Sequence, residues 1–313
     1  MKKVLVTGAA GAIGSLVIKY LLSEGKYEIT GVDLPNSNST KRLRRYNRRI
    51  NVLYADLTDP IIVDALVKDH DYIIHLAGVM PPFADLKEDL GELIDYKVTE
   101  NLVRAIDFYN PSCTLLYASS TVVYGKSKSG KVTAKTKVNV SEEDYYAKWK
   151  KEVEKLIKKK IKNYIIFRLP LVLTDPRLPG FVYNGINDEL IEVVSDQDVA
   201  YAFVKALDKI KTLNKNTYNV GGGENCQILY SDLLTDILKY YGFSFKYLVG
   251  RLLLNKNYYG YVYEDSTELE NILNFRNDSV ASYMMRLKRR TNTKRVVARF
   301  VGNLIVKFKG NRK

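Results

Sequence analysis

The sequence predicts an α/β fold: a doubly wound parallel sheet with helices on both faces, then a small α/β C-terminal lobe and a basic C-terminal helix. Three observations carry this. Short apolar runs alternate with amphipathic stretches through the first 170 residues, and strand–helix–strand order builds a parallel sheet. The first apolar run ends in a glycine-rich turn that opens a helical pattern. After Pro170 the pattern loosens, and the chain closes on a strongly basic stretch.

The elements follow in order. Lys3–Thr7 reads as a buried strand. Ala12–Glu24 carries Ile13, Leu16, Val17, Tyr20 and Leu21 at helical spacing. Further strands are expected at Tyr27–Asp33, Ile50–Tyr54, Tyr72–Leu76, Thr114–Ala118 and Tyr164–Leu169. Helices are expected between them at Pro60–Lys68, Lys87–Tyr109 and Glu142–Lys160. Right-handed crossovers then wind the sheet in both directions. In the second region Gln197–Leu207 and Tyr230–Tyr241 read as helices, with Thr217–Val220 a strand between them. Another helix starts at Asp265–Asn271, with Ser266 as its cap. The expected division is 1–170 for the nucleotide-binding domain, 171–290 for a lobe too small for its own core, and 291–313 for the tail.

Charge sharpens the class. The 313 residues carry a formal charge of +14. Eleven basic residues and no acidic one lie between Ser279 and Lys313, which leaves about +3 for the body. The basicity is a tail property, which argues against a globally basic nucleic-acid-binding fold. Two cysteines, Cys113 and Cys226, give neither a disulfide framework nor zinc spacing. No signal peptide or membrane span is read, so a cytoplasmic location is expected.

Thr7-Gly8-Ala9-Ala10-Gly11-Ala12-Ile13-Gly14 is a GxxGxxG turn between the first strand and first helix. Gly8 permits the tight turn, Gly11 lets backbone approach a pyrophosphate, and Gly14 lets helix and strand pack closely. The helix N-terminus then offers N–H groups and positive dipole to phosphate. Asp33 ends the second strand, where an acid binds a ribose 2′-hydroxyl and repels a 2′-phosphate. NAD is therefore expected over NADP. The basic run Lys41–Arg49 reads as a solvated charged helix, with the alternative that one of Lys41, Arg42, Arg44, Arg45, Arg48 and Arg49 grips a phosphate.

With these residues and those that follow, the chain resembles the extended short-chain dehydrogenase/reductase family, in its NAD-dependent epimerase/dehydratase branch. The resemblance runs to about Arg290. It rests on Asp56-Leu57, His75-Leu76-Ala77-Gly78, Ala118-Ser119-Ser120-Thr121-Val122-Val123-Tyr124-Gly125 and Tyr146-Ala147-Lys148-Trp149-Lys150. Glu154, Arg168-Leu169-Pro170, Asp198-Val199-Ala200 and Asn219-Val220-Gly221-Gly222-Gly223 continue it in the family's order. The resemblance implies a Rossmann fold and Ser120, Tyr146 and Lys150 as catalytic residues. It implies cofactor contacts from Gly8, Ala10, Gly11, Ala12, Ile13, Gly14, Asp33, Asp56, Leu57, Leu76, Ala77, Gly78, Tyr146, Lys150, Pro170 and Val172. The residue types suit that chemistry. Tyr146 and Lys150 share a helix face. An ammonium beside a phenol favours the phenolate, and Ser120 can hold the reacting oxygen.

Three departures stand out. About one helical turn is missing around Tyr96-Lys97-Val98-Thr99-Glu100-Asn101-Leu102, and with it the family's buried Asn, a residue associated with a proton relay through the lysine. Trp149 replaces the usual Ser or Thr and is read as packing against the sheet. The segment from Arg168 to Asp198 is short where nucleotide-sugar enzymes carry a long clamp. The first reading is an epimerase or dehydratase acting on a sugar or nucleotide sugar. The rivals are a dehydrogenase or reductase of a small alcohol, ketone, isoprenoid or steroid-like substrate, and a non-catalytic NAD-binding scaffold. His75 is read as structural, His70 as surface, and no metal is expected. In the tail, Val297, Phe300, Val301, Leu304, Ile305 and Phe308 recur at helical spacing among basic residues. That pattern suits packing on the body, on a second subunit in a homodimer, or on an anionic membrane surface. No nucleic-acid partner is expected.

Overall fold

The first strand of the chain lies inside its own sheet, paired on both sides. The structure, a computed structural model, describes residues 1–81, 84, 88–125, 130–174, 189–241 and 260–289. In chain order the first half runs β1 (Lys2–Thr7), α1 (Ala12–Glu24), β2 (Tyr27–Asp33), α2 (Ser37–Leu43), β3 (Asn51–Tyr54), α3 (Pro60–Lys68), β4 (Tyr72–His75), α4 (Val98–Tyr109), β5 (Thr114–Ser120), β6 (Lys131–Val132), α5 (Tyr145–Lys160) and β7 (Tyr164–Leu169). The second runs β8 (Val172–Leu173), β9 (Leu190–Glu192), β10 (Val194–Ser195), α6 (Asp196–Ala206), β11 (Asn216–Asn219), β12 (Gln227–Leu229), α7 (Tyr230–Tyr241), β13 (Val262–Tyr263), α8 (Ser266–Leu273) and α9 (Val280–Arg289).

Seven strands form one sheet in the order β11-β7-β5-β4-β1-β2-β3. Every pairing in it is parallel. A parallel sheet covered on both faces needs continuous apolar strands, and all six residues of β7 are buried. One face packs α1 and α6 through Val17, Ile18, Leu21, Val199 and Phe203. The other packs α3, α4 and α5 through Val63, Leu102, Ile106, Val153 and Ile157. The strand order reverses between β1 and β4, the point where such sheets open a crevice beyond their carboxyl ends.

Several expectations change. The helix expected over Lys87–Tyr109 is three pieces: a turn at Glu88–Gly91, a π-helical turn at Glu92–Lys97, then α4. In the π turn the Val98 N–H reaches back five residues to the Leu93 carbonyl. The helix expected from Glu142 begins at Tyr145, because the Asp144 side chain accepts the Ala147 N–H and caps it there. Ser266 is no cap: its hydroxyl bonds Glu192 and the Tyr263 carbonyl instead. Only part of Lys41–Arg49 is helical, ending in a 3₁₀ turn at Arg44–Tyr46.

His70 is buried, not on the surface. Its Nδ1–H donates to the Leu66 carbonyl at 2.6 Å, and Nε2 accepts from Thr30 Oγ1 at 2.9 Å. The partner from β2 draws the ring inward.

The second region also has an apolar cluster of its own, with Leu173, Ile191, Val193, Leu233, Leu234, Ile237, Tyr283, Met284 and Leu287. It gathers β8, β9, α7 and α9 around one centre. The chain nonetheless returns to the main sheet, where β11 pairs with β7. The tail 291–313, most of the short clamp and the apolar tail residues lie outside the described residues. Among the described residues no helix is long and apolar enough to cross a membrane.

Candidate active site

The glycine turn is fixed by close approach. Gly8 has φ +65°, and a Cβ there would come within 2.8 Å of the Ala77 backbone N. A Cβ on Gly14 would sit 2.2 Å from the Gly8 carbonyl oxygen. The turn therefore packs α1 against the end of β1 and packs itself against the chain that leaves β4. Gly11 caps α1 without a side-chain bond, and no acid lies in its first turn. The helix dipole and first N–H groups are left to an anion.

Asp33 is held from three directions. Its Oδ2 accepts the Ala10 N–H at 2.8 Å, and Oδ1 accepts the Leu34 N–H and the Ser39 hydroxyl, each at 2.9 Å. Arg42 reaches from α2 to the same loop, donating from Nη1 to the Ala10 carbonyl at 2.8 Å. Asp56 accepts from Thr58 N and Oγ1, both at 2.9 Å, which turns the chain after β3.

Between these groups lies a cleft of about 350 Å³. Gly8, Ala10, Gly11, Asp33, Asp56, Leu57, Leu76, Ala77 and Gly78 line it, as the sequence led us to expect. Asn38, Ser39, Ile94 and Val98 line it too, and sequence reading missed them; Arg42, from the basic run in which a phosphate contact was the alternative reading, also lines it. Ala12, Ile13 and Gly14 open α1, Tyr146 and Lys150 stand on α5, Pro170 follows β7 and Val172 lies in β8; these seven do not line the cleft. The tight glycine turn, the open helix end and an acid on β2 fit the pyrophosphate and ribose of a dinucleotide.

The candidate catalytic groups lie on β5 and α5. Successive strand residues face opposite sides. Ser119 donates to Glu154 Oε1 at 2.7 Å, whereas Ser120 Oγ accepts the Val122 N–H at 3.4 Å. On α5 the buried stripe is Tyr146, Ala147, Lys150, Val153, Glu154 and Ile157. Tyr146 Oη donates to Met80 Sδ at 3.6 Å. Lys150 Nζ lies 5.5 Å from the Tyr146 ring centre and 5.2 Å from that of Tyr117.

Lys150 has a partner that the sequence reading did not supply. Its Nζ is 2.9 Å from Asp95 Oδ1, with side-chain exposures of 6% and 1%. Asp95 Oδ2 also accepts the Val79 N–H at 3.3 Å. Burial is the largest influence and opposes the Lys150 charge, but the Asp95 carboxylate together with the Tyr117 and Tyr146 phenols outweighs it and holds the ammonium's pKa well above the usual lysine value. The expected gap in this helix is thus occupied: the π turn brings a carboxylate against the lysine. A signal was present, since Asp95 falls on a stripe with Gly91, Thr99 and Leu102, all buried.

Beneath this pair runs a row of buried polar groups. Thr99 Oγ1 donates to the Asp95 carbonyl at 2.6 Å, so it must accept from His75 Nε2–H at 3.0 Å. His75 Nδ1 then accepts from Thr7 Oγ1 at 2.7 Å. Burial, with the nearby Lys150 charge, pushes the His75 pKa down to about 3. The ring is neutral and structural, as expected. Trp149 packs on the helical turn rather than on the sheet, 5.4 Å from the Tyr96 ring and against Gly91. Both cysteines are buried, which raises their thiol pKa values to about 12. Among the described residues no group of three His, Cys, Asp or Glu is placed to hold a metal.

Comparison with known proteins agrees with this geometry. The model of the NAD dependent epimerase/dehydratase family matches residues 4–193. The chain is 26% identical over 188 residues to D-erythronate dehydrogenase from Haemophilus influenzae, and 28% identical over 153 residues to UDP-glucose 4-epimerase from Yersinia enterocolitica. These matches cover 57% and 45% of this chain, and the chain spans about half the length of those relatives, 57% and 44%. Among solved structures, UDP-glucuronic acid 4-epimerase from Bacillus cereus, in complex with NAD, superposes with a TM-score of 0.69 at 21% identity, covering 92% of this chain and 100% of that one. The dTDP-glucose 4,6-dehydratase DesIV from Streptomyces venezuelae gives 0.72 at 18% identity, covering 92% and 97%. At these identities the structural likeness concerns the fold.

Proposed function

Because the chain belongs to the NAD dependent epimerase/dehydratase family, we propose that it is an NAD-dependent enzyme that epimerises or dehydrates a nucleotide sugar, with Tyr146 as its base. The observation that carries this reading is the stacking of layers at Gly78. Gly78 lines the cofactor cleft, and a Cβ on it would lie 3.5 Å from Lys150 Nζ. The lysine that supports the base is thus packed against the wall of the dinucleotide site.

The chemistry supplied by the bound cofactor is reversible hydride transfer. The chain's own residues do the rest. The glycine turn and the N-terminus of α1 bind the pyrophosphate, and Asp33 binds the adenosine ribose. Ser120 donates a hydrogen bond to the substrate oxygen. Tyr146 removes the proton from that hydroxyl and later returns it. Lys150 favours the phenolate form of Tyr146 and orients the cofactor's second ribose. Glu154 takes up Ser119 and Arg168 behind the strand, and Ser120, the next residue along β5, faces the opposite side.

The test is a thermal-shift and turnover screen with UDP-, dTDP- and CDP-sugars in the presence of NAD. A ligand bound only by the native state raises its stability. Conversion of at least one sugar without net NADH accumulation is expected. Failure of every nucleotide sugar to bind or react would overturn the reading. A second reading, net oxidation of a small sugar acid, is favoured by the likeness to D-erythronate dehydrogenase. It predicts NADH accumulation with aldonates in the same assay.

A further inference from the structure

Asp95 touches three parts of the site at once. Its Oδ1 pairs with Lys150 at 2.9 Å, its Oδ2 accepts the Val79 N–H at 3.3 Å, and a Cβ on Gly78 would lie 2.8 Å from Oδ1. Its position is built rather than incidental. The π turn Glu92–Lys97 carries it, and Thr99 pins its carbonyl at 2.6 Å. π turns inside helices frequently mark functional sites. A lysine alone beside Tyr146 would leave one uncompensated positive charge against the phenol. Here the ammonium is already engaged by a buried carboxylate.

We propose that Asp95 is a positioning residue for the proton transfer: it fixes Lys150 under the cofactor cleft and offsets its charge, so that Tyr146 ionises at a higher pH than Lys150 alone would impose. The inference rests on the reading of Tyr146 as the base. The charged and titratable groups facing the pair are few. Among the described residues, His75 faces it from β4, Tyr117 from β5, and Tyr146 from α5, the helix that bears Lys150. His75 stays neutral, with its pKa near 3. Burial raises the pKa of Tyr117, so it does not ionise alongside Tyr146 near neutral pH. The carboxylate is therefore the group whose charge opposes the lysine.

Replacing Asp95 by Asn removes a negative charge, and the ammonium of a Lys150 that stays protonated then favours the phenolate. The Tyr146 midpoint then falls. A carboxylate–ammonium pair at this range shifts a neighbour by about one pH unit.

The experiment is a near-ultraviolet phenolate titration of the NAD-loaded protein, which needs no substrate. Wild type, Asp95→Asn and Asp95→Glu are each titrated with and without Tyr146→Phe, and the difference isolates Tyr146 from the other tyrosines. The midpoint is expected to fall by about one unit in Asp95→Asn and to stay near wild type in Asp95→Glu. An unmoved or raised midpoint in Asp95→Asn overturns the proposal, as does an equal shift in Asp95→Glu. Asp95→Ser stands in if Asp95→Asn does not fold. If neither folds, Asp95 is a determinant of the fold and the proposal is overturned. A failed nucleotide-sugar screen with a shifted midpoint rejects only the substrate assignment. An active enzyme with an unmoved midpoint rejects only this inference.

Discussion

Glu154 on α5 and Arg168 on β7 meet in a paired contact, Nε to Oε1 at 2.8 Å and Nη2 to Oε2 at 2.6 Å, with both side chains buried. The parallel register places Arg168 beside Ser119. Ser119 bonds the same carboxylate. One ion pair thus locks α5 to the sheet and decides which serine of β5 turns away.

Removing one partner of such a pair strands the other. Glu154→Gln is expected to cost about 3–5 kcal/mol at neutral pH, read by chemical denaturation. Burial raises the Glu154 pKa, but Arg168 more than offsets this and leaves it below 4.5. Its contribution is present above that ordinary value and lost as pH falls through the lowered one. The Glu154→Gln protein should therefore lose less further stability than wild type on acidification below about pH 4.5. Parallel pH profiles would contradict this.

Tyr146→Phe keeps the buried ring and deletes the hydroxyl. Turnover should fall by about 10²–10⁴, with NAD affinity within about twofold of wild type by isothermal titration. Lys150→Met should weaken both, because it removes the proposed ribose contact and leaves Asp95 buried without its cation. Full activity in Tyr146→Phe would remove Tyr146 from the mechanism.

At the glycine turn the obstruction is backbone. A Cβ on Gly14 lies 2.2 Å from the Gly8 carbonyl oxygen. Gly14→Ala must push α1 off β1, so loss of NAD binding and a lower melting temperature are expected together. Gly25→Ala is the control: its φ is also positive, at +67°, but nothing lies within 4 Å of the added Cβ. It should lose stability and keep NAD binding.

Cofactor choice turns on Asp33 and Arg42. The acid repels a 2′-phosphate, and wild type should prefer NAD by more than about tenfold in Kd. In Asp33→Ser the repulsion is gone and Arg42 remains on the cleft wall. That variant should swing toward NADP, and Asp33→Ser with Arg42→Ala should lose the gain. Equal NADP affinity in both variants would free Arg42 of the role.

The strands and the glycine turn were legible because their signals are local. Apolar runs and the spacing of Gly8, Gly11 and Gly14 lie within a few residues of each other. Asp95 was legible only as one member of the helical stripe Gly91, Asp95, Thr99 and Leu102, not as the partner of Lys150, because only the fold brings Lys150 to it. His70 was misread for the same reason, since its partner Thr30 lies on another strand. Arg42 was visible as one of several charges able to grip a phosphate, but its target, a carbonyl in the glycine turn, was not.

The seventh strand has a bearing on how the protein is made. β11 is the outer neighbour of β7, yet it follows β7 only after the chain has passed through β8, β9, β10 and α6. A nascent chain released by the ribosome only as far as Pro170 would hold six of the seven strands, with one side of β7 bare. Bare edges invite pairing with other chains. A fragment ending at residue 170 would therefore be an aggregation-prone intermediate, however complete its nucleotide-binding motifs, until Asn216–Asn219 arrives to seal it.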